Sequence, residues 1–278
     1  MKKAKAVGAA LLYFAIFFAV QIVVTFVFAL TAVFDVGAKI SQSGAYEAGE
    51  IYDAVVAKLL SDSALITIIS NFAFVALIFI IFAIRKKNPF IEVGFAKTPS
   101  KNAPASIFLG FSLNILTNAV FSSIPFPEKW VESYENAVSP LSDNVTGTVL
   151  LAVLISAPLA EEILFRGLIF TRMSHGFGVF AGAVTSALMF GLAHGNIIQG
   201  IYAALLGAVI VWVFYRTRSL ICPILLHFAF NGIDFFIQTI NVKMIVMALV
   251  LLVGSVGALI LFNKKDPDAE KQDLSKGY

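Results

Sequence analysis

The sequence predicts an all-α protein that crosses a membrane about eight times, and three observations carry that reading. Hydrophobic residues fill 59% of the 278 positions and charged residues only 13%, against roughly 25% charged in a soluble domain. Apolar runs long enough to cross a bilayer recur along the chain. The short charged stretches between them alternate, basic then acidic. Together these describe one polytopic membrane domain.

At the N-terminus, after Lys2, Lys3 and Lys5, no charge occurs until Asp35. That is too long for the apolar core of a secretory signal, so a retained span over about 7–33 is expected. Residues 35–62 hold five acidic and two basic groups and read as a loop with a short helix near Glu47–Leu60. A second span covers about 63–84 and stops at Arg85, Lys86 and Lys87. The segment 85–103 carries five basic groups against one acidic, and a third span covers about 104–124. Four acidic groups and one lysine mark Pro125–Asn144 as a loop. Spans four to eight begin near Val145 and then cover about 178–195, 197–215, 219–240 and 243–262. The division is 1–144 for the first three spans and their loops, 145–262 for the core with candidate chemistry, and 263–278 for a polar tail.

The basic stretches, Lys2–Lys5, Arg85–Lys101, Arg166/Arg172, Arg216/Arg218 and Lys264/Lys265, fall on one side and the acidic loops on the other. By the positive-inside rule both termini are cytoplasmic. Net charge is only +3, so nothing points to nucleic acid. One cysteine, Cys222, excludes an internal disulfide and a cysteine-rich metal site, and it reads as a small core residue. No internal repeat is evident, which weighs against transporters built from inverted repeats. The glycines at 176, 178, 182, 254 and 257 read as close-packing positions.

Chemistry concentrates after Pro158. Glu161 and Glu162 stand together in an apolar run, where a carboxylate is costly unless paired, hydrogen-bonded or wet. Residues four apart share a helix face, so Glu162 can pair with Arg166 while Glu161 points elsewhere and remains available. The alternative is that both glutamates pair with cations purely for packing. Of the three histidines, His175 lies in a short basic loop and receives no role. His194 follows Phe190 by four residues and is followed by Gly195 and Asn196. His227 is followed at four residues by Asn231, and Asp234 continues that stripe. A single histidine in an apolar helix is more often a packing residue than a catalyst. Two of them, with Asn231 and Glu161 on a third helix, would need separate structural roles to coincide.

These groups support two chemistries. Glu161 can take a proton from a water that His194 orients, while His227 and Asn231 donate to the oxyanion of a tetrahedral intermediate. Alternatively Glu161, His194 and His227 bind zinc and leave one position for water. Asn231 is a poor zinc ligand and a good amide donor, which favours the first role for it. The H-E-x-x-H helix of soluble zinc proteases is absent.

Glu161-Glu162-x-x-x-Arg166, Phe190-x-x-x-His194 and His227-x-x-x-Asn231, in that order on successive helices, resemble the three motifs of the CPBP family. These are the CAAX-protease and bacteriocin-processing proteins, also called Abi, and they include prenyl-protein endopeptidases of the Rce1 type. The resemblance covers about 145–240. It implies an eight-helix intramembrane endopeptidase, in a prokaryotic plasma membrane, with a cavity open to the cytosol. It implies water activation by Glu161 and His194 and an oxyanion hole from His227 and Asn231. The implied partners are membrane lipid and a protein or peptide substrate, lipidated or not. The family has been described both as metalloproteases and as glutamate-dependent proteases, so either no cofactor or zinc is compatible with it. A non-catalytic adaptor or bacteriocin-immunity protein on the same scaffold is the competing reading, and a proton-coupled transporter is the third. On straight helices Glu161 and His227 lie roughly 15 and 12 Å from the cytoplasmic end of their spans, but His194 lies roughly 25 Å in. The predicted boundaries therefore disagree with the convergence of the motifs.

Overall fold

The computed structural model describes residues 2–43, 48–142, 145–237 and 239–263, and among these every regular element is helical. In chain order they are α1 (Lys2–Ser43), α2 (Ala48–Ser61), α3 (Ser63–Ile84), α4 (Pro89–Glu92), α5 (Asn102–Phe121) and α6 (Glu128–Ser142). There follow α7 (Gly147–Phe177), α8 (Val179–Leu192), α9 (Ile197–Thr217), α10 (Ile221–Gly232, extended by a 3-10 turn Ile233–Phe235) and α11 (Val242–Phe262). Six of these, α1, α3, α5, α7, α9 and α11, are long and apolar enough to cross a membrane. With the shorter apolar helices α8 and α10, they supply the eight apolar segments read from the sequence. The predicted tail from residue 264 onward lies outside the described residues.

One predicted loop is a helix instead, and the first helix is longer than expected. The first helix does not stop near residue 33 but runs to Ser43, and α2 stands where the short helix near Glu47–Leu60 was expected. No proline interrupts residues 34–43, and Asp35 and Lys39 have the four-residue spacing that favours a helix. The acidic segment after Pro125 forms α6, in which Trp130, Val131, Tyr134, Val138 and Leu141 are half-buried while Glu128, Glu132 and Glu135 are exposed. That i, i+4, i+8 stripe is an amphipathic helix; its charge content disguised it as loop. The α6 stripe packs on α9, where Tyr134 and Tyr202 meet edge to face at 6.5 Å.

Helix ends are punctuated by local chemistry. The side chains of Thr146, Asn196 and Asn241 accept from Val149, Gln199 and Met244 backbone N–H at the starts of α7, α9 and α11. Gly178, at φ 90°, reverses the chain between α7 and α8 in a single residue, a conformation a Cβ would strain.

The core sits around α7. Ile163, Leu164, Phe165, Leu168 and Ile169 are fully buried, against Phe74, Ile78 and Phe82 of α3 and Phe190 of α8. Small residues bring backbones together, as membrane helices require. A Cβ on Gly110 of α5 would strike the Leu226 carbonyl of α10, and one on Gly167 would stand 2.6 Å from the Val93 carbonyl.

These contacts fix relative levels. Gly167 lies against Val93, and Leu220 N donates to Gly94 O at 2.9 Å. Glu161 and His227 are six and seven residues past those points, about 9 and 10 Å at 1.5 Å per residue. Ser186 Oγ donates to Phe165 O at 2.8 Å. Counted from that rung, Glu161 is roughly 6 Å and His194 roughly 12 Å further on, and the histidine side chain leans back toward the start of α8. The helices are staggered: beyond the level of the α9–α10 turn α7 extends about ten residues and α8 about five. The boundaries predicted from hydropathy ignored that stagger, and the depth conflict came from it.

Candidate active site

The helix that carries the glutamates is interrupted twice. Ala152–Ser156 and Ile163–Phe170 are π-helical, with α-helical Ala157–Glu162 between them. Pro158 gives the physical reason for the first. Its ring would collide with the carbonyl four residues back, and it has no N–H to donate. Ala157 N donates to Ala152 O, five residues back. The Val153 carbonyl is thereby deprived of both helical donors, since Ala157 is committed and Pro158 has none. Asn231 supplies the missing one, its amide Nδ2 donating to Val153 O at 3.0 Å. In the second widened segment Ser186 Oγ donates to Phe165 O and Thr171 Oγ1 to Arg166 O, at 2.8 and 3.0 Å. One extra residue in a turn rotates the downstream helix by about 100°, so the widening sets where both glutamates point. Turns of this kind are frequent at functional sites.

Glu162 and Arg166 form the predicted couple. Arg166 Nη1 donates to Glu162 Oε1 at 2.9 Å, both side chains are wholly buried, and Arg166 Nη2 donates to the Gly207 carbonyl of α9 at 3.0 Å. The same Glu162 oxygen lies 2.8 Å from His227 Nδ1. Because it already accepts from Arg166, it accepts here too, and Nδ1 carries the proton. Nε2 of His227 then faces Glu161, 3.8 Å from Oε2. Glu161 is about one-fifth exposed, the more accessible of the two carboxylates.

His194 lies in the turn after α8, half-buried, with Nδ1 2.8 Å from the Phe190 carbonyl. A carbonyl only accepts, so here too Nδ1 holds the proton. Both histidines are thus held by an acceptor on Nδ1, which for His227 leaves Nε2 toward Glu161.

Phe190 is the hub between them. His194 and His227 meet its ring edge to face at 4.9 and 5.6 Å, Phe165 packs at 5.1 Å, and the Arg166 guanidinium lies 4.6 Å above it. Arg166, His194 and His227 therefore converge on one ring, and Glu162 and Glu161 join the group through His227. Asn231 reaches the same region through the Val153 carbonyl. Asp234 turns away from the stripe it was assigned to: Asn114 and Asn118 of α5 both donate to it at 2.9 Å. His175 stays apart, at the end of α7.

Residues 144–233 match the family of type II CAAX prenyl endopeptidases, Rce1-like. That stretch of the chain is similar to the Rce1-like family. A protein of Bacillus subtilis (strain 168) named "Putative membrane peptidase YdiL" is 22% identical over 124 residues, 44% of this chain and 51% of that protein. The match therefore spans about half the length of the relative. No solved structure matches the chain.

For zinc, the two Nε2 atoms and the Glu161 carboxylate of the Rce1-like core are suitable donors in kind. Among the described residues, however, no three His, Cys, Asp or Glu side chains are gathered closely enough to hold one ion. As placed, Glu161, His194 and His227 are not gathered into one metal site.

The motifs of the Rce1-like core did not disclose all of its polar parts. Ser186 satisfies α7, and Asn71 of α3 donates to Ser156 Oγ at 3.4 Å, which in turn donates to Ala152 O at 2.9 Å. Gly207 gives Arg166 its carbonyl, and a Cβ there would stand 3.1 Å from the Phe190 ring and 3.3 Å from Arg166 Nη2. Polar Ser70 and Asn71 in the middle of an apolar span were the available signal for α3. Pro158, shortly before the glutamates, was the signal for the widened turn.

Proposed function

We propose that this protein is an intramembrane endopeptidase that hydrolyses a peptide bond of a membrane-associated protein or peptide with a water activated by Glu161 and His194. The supporting observation is the facing of Glu161 Oε2 and His227 Nε2 at 3.8 Å beside His194 in an Rce1-like core. Glu161, partly exposed and not consumed by Arg166, takes a proton from water as the water oxygen attacks the peptide carbonyl. His194 Nε2, with Nδ1 committed to Phe190 O, accepts from that water and orients it. The carbonyl oxygen gains the negative charge, and His227 Nε2 can donate to it only when the ring carries both protons, the other being held by Glu162. The protonated Glu161 then delivers its proton to the leaving amine as the C–N bond breaks, and the carboxylate is regenerated.

Asn231 takes a positioning part here, because its amide holds the Val153 carbonyl. The proposed substrate meets the site from the lipid phase. The test is steady-state cleavage of a panel of lipidated and unlipidated peptides by the purified protein. Glu161→Gln keeps shape and removes the base, and turnover should fall by roughly 10²–10⁴-fold while a direct binding assay is unchanged. Cleavage by Glu161→Gln at the wild-type rate would reject the mechanism and leave the adaptor reading in its place. Metal analysis belongs to the same preparation: zinc well below one per chain is expected, and stoichiometric zinc with chelator-sensitive activity restored by zinc would overturn it.

A further inference from the structure

A groove lies between α5 and α11. It encloses about 360 Å³ and is lined by Ala105, Phe108, Gly254, Ser255, Ala258 and Phe262, with Lys101 at its end. Along α11 it runs from Val250 to Phe262, roughly 18 Å. Both helices are membrane-crossing in length and composition, so the groove opens to lipid along its side. At the Lys101 end the two helices are locked together. Asn102 and Asn263 exchange amide hydrogen bonds at 3.0 and 2.9 Å, and Asn263 Nδ2 also donates to Leu259 O at 2.8 Å. The groove is a built cleft with a fixed mouth.

Charge at that mouth is positive from two sources. Lys101 Nζ lies 5.4 Å from the Phe262 ring, a cation–π contact that holds the ammonium over the opening, and no ion pair is formed by Lys101 among the described residues. Lys101 is also the capping residue just before α5, a helix whose first turn has no acidic residue, and its side chain makes no cap hydrogen bond. The positive end of a 20-residue helix therefore faces the same place. The one acidic group of the 85–103 segment, Glu92, is already occupied by Lys87 at 2.8 Å and Arg172 at 3.4 Å.

An apolar cleft of this length, open to the bilayer and headed by a lysine at a helix start, matches a single kind of molecule. We propose that the α5–α11 groove binds an anionic glycerophospholipid of the leaflet on the Lys101 side, its phosphate beside Lys101 and one acyl chain along Ser255 and Ala258. This does not depend on the peptidase reading.

Native mass spectrometry of the full chain in detergent, with phosphatidylglycerol or phosphatidylcholine added, tests it. Phosphatidylglycerol should be retained roughly fivefold better, the equivalent of the ~1 kcal/mol that one lysine contributes near an anionic surface. Lys101→Ala should abolish the preference and Lys101→Arg should restore it. Gly254→Leu should reduce retention of both lipids, because nothing lies within 4 Å of a Cβ at that position, so the side chain fills the groove without disturbing the fold. Equal retention of the two lipids, or Lys101→Ala or Gly254→Leu behaving as wild type, would overturn the proposal. So would a preference that appears only after residues 264–278 are deleted, which would give the mouth to the acidic residues of the tail.

Discussion

Oε1 of Glu162 receives two hydrogen bonds, from Arg166 at 2.9 Å and from His227 at 2.8 Å, with no part of the side chain exposed. Losing one partner of such a pair leaves a desolvated charge, commonly at about 3–5 kcal/mol. Arg166→Ala should therefore lower the thermal unfolding temperature in detergent markedly. Glu162→Gln should cost less, because a neutral amide oxygen still accepts from His227. Equal, unperturbed unfolding in both variants would show that the pair contributes nothing. At this scale the sequence was partly legible. Four-residue spacing makes Glu162 and Arg166 partners on any helix. The bond from His227 to Glu162 was hidden, because it depends on how α10 is rotated against α7. So was the part of Phe190, whose ring serves both histidines and Arg166.

The element that most shapes the site is the widened turn in α7. Replacing Pro158 with alanine returns an N–H and removes the ring that collides with the preceding turn, so the segment can revert to regular α-helix. Two effects of opposite sign should result. Stability should rise, since proline in a helix interior is unfavourable by roughly 3 kcal/mol relative to alanine. Turnover should fall by about 10²-fold, the usual consequence of misplacing reacting groups by an ångström, because the glutamates rotate away from His227. Asn231→Ala should then cost little in the Pro158→Ala background, since Val153 would no longer need its amide. Unfolding temperature and cleavage rate measured on the four proteins of this cycle decide it; a Pro158→Ala enzyme with wild-type turnover would show that the register is unimportant. The proline was visible in the sequence, but pattern reading assigns a residue to helix or loop and has no category for a helix with one residue too many. Helix α6 went unread for a related reason. Its apolar stripe has helical spacing, and its density of charge spoke louder.

For the whole molecule, stagger is the feature that hydropathy could not convey. Apolar length says that a segment can cross; it does not say at what height the segment stands against its neighbour. Heights came from Gly167 on Val93, Leu220 on Gly94 and Ser186 on Phe165. The alternation of basic and acidic ends predicts that the N-terminus and the 85–101 segment share one side, and that α6 lies on the other. The only cysteine, Cys222, is completely buried, so single cysteines introduced at Lys97 and Lys129 can be read over a quiet background. A membrane-impermeant thiol reagent applied to intact cells should label position 129 and not 97. The reverse result would invert the topology.

The fourteen residues of α8 reach only about 21 Å, and a hydrocarbon layer is about 30 Å thick. Lipid cannot remain at full thickness beside so short a helix without burying the polar turn that carries His194. Adjoining lipid has to thin there, at a fraction of a kcal/mol per ångström of mismatch. The dimple that results brings bulk solvent toward the site of the proposed hydrolysis. Reconstituted in a series of phosphatidylcholines, the protein should cleave fastest in the short-chain members and slow steadily as the acyl chains lengthen. A rate independent of chain length would mean that water arrives by another route.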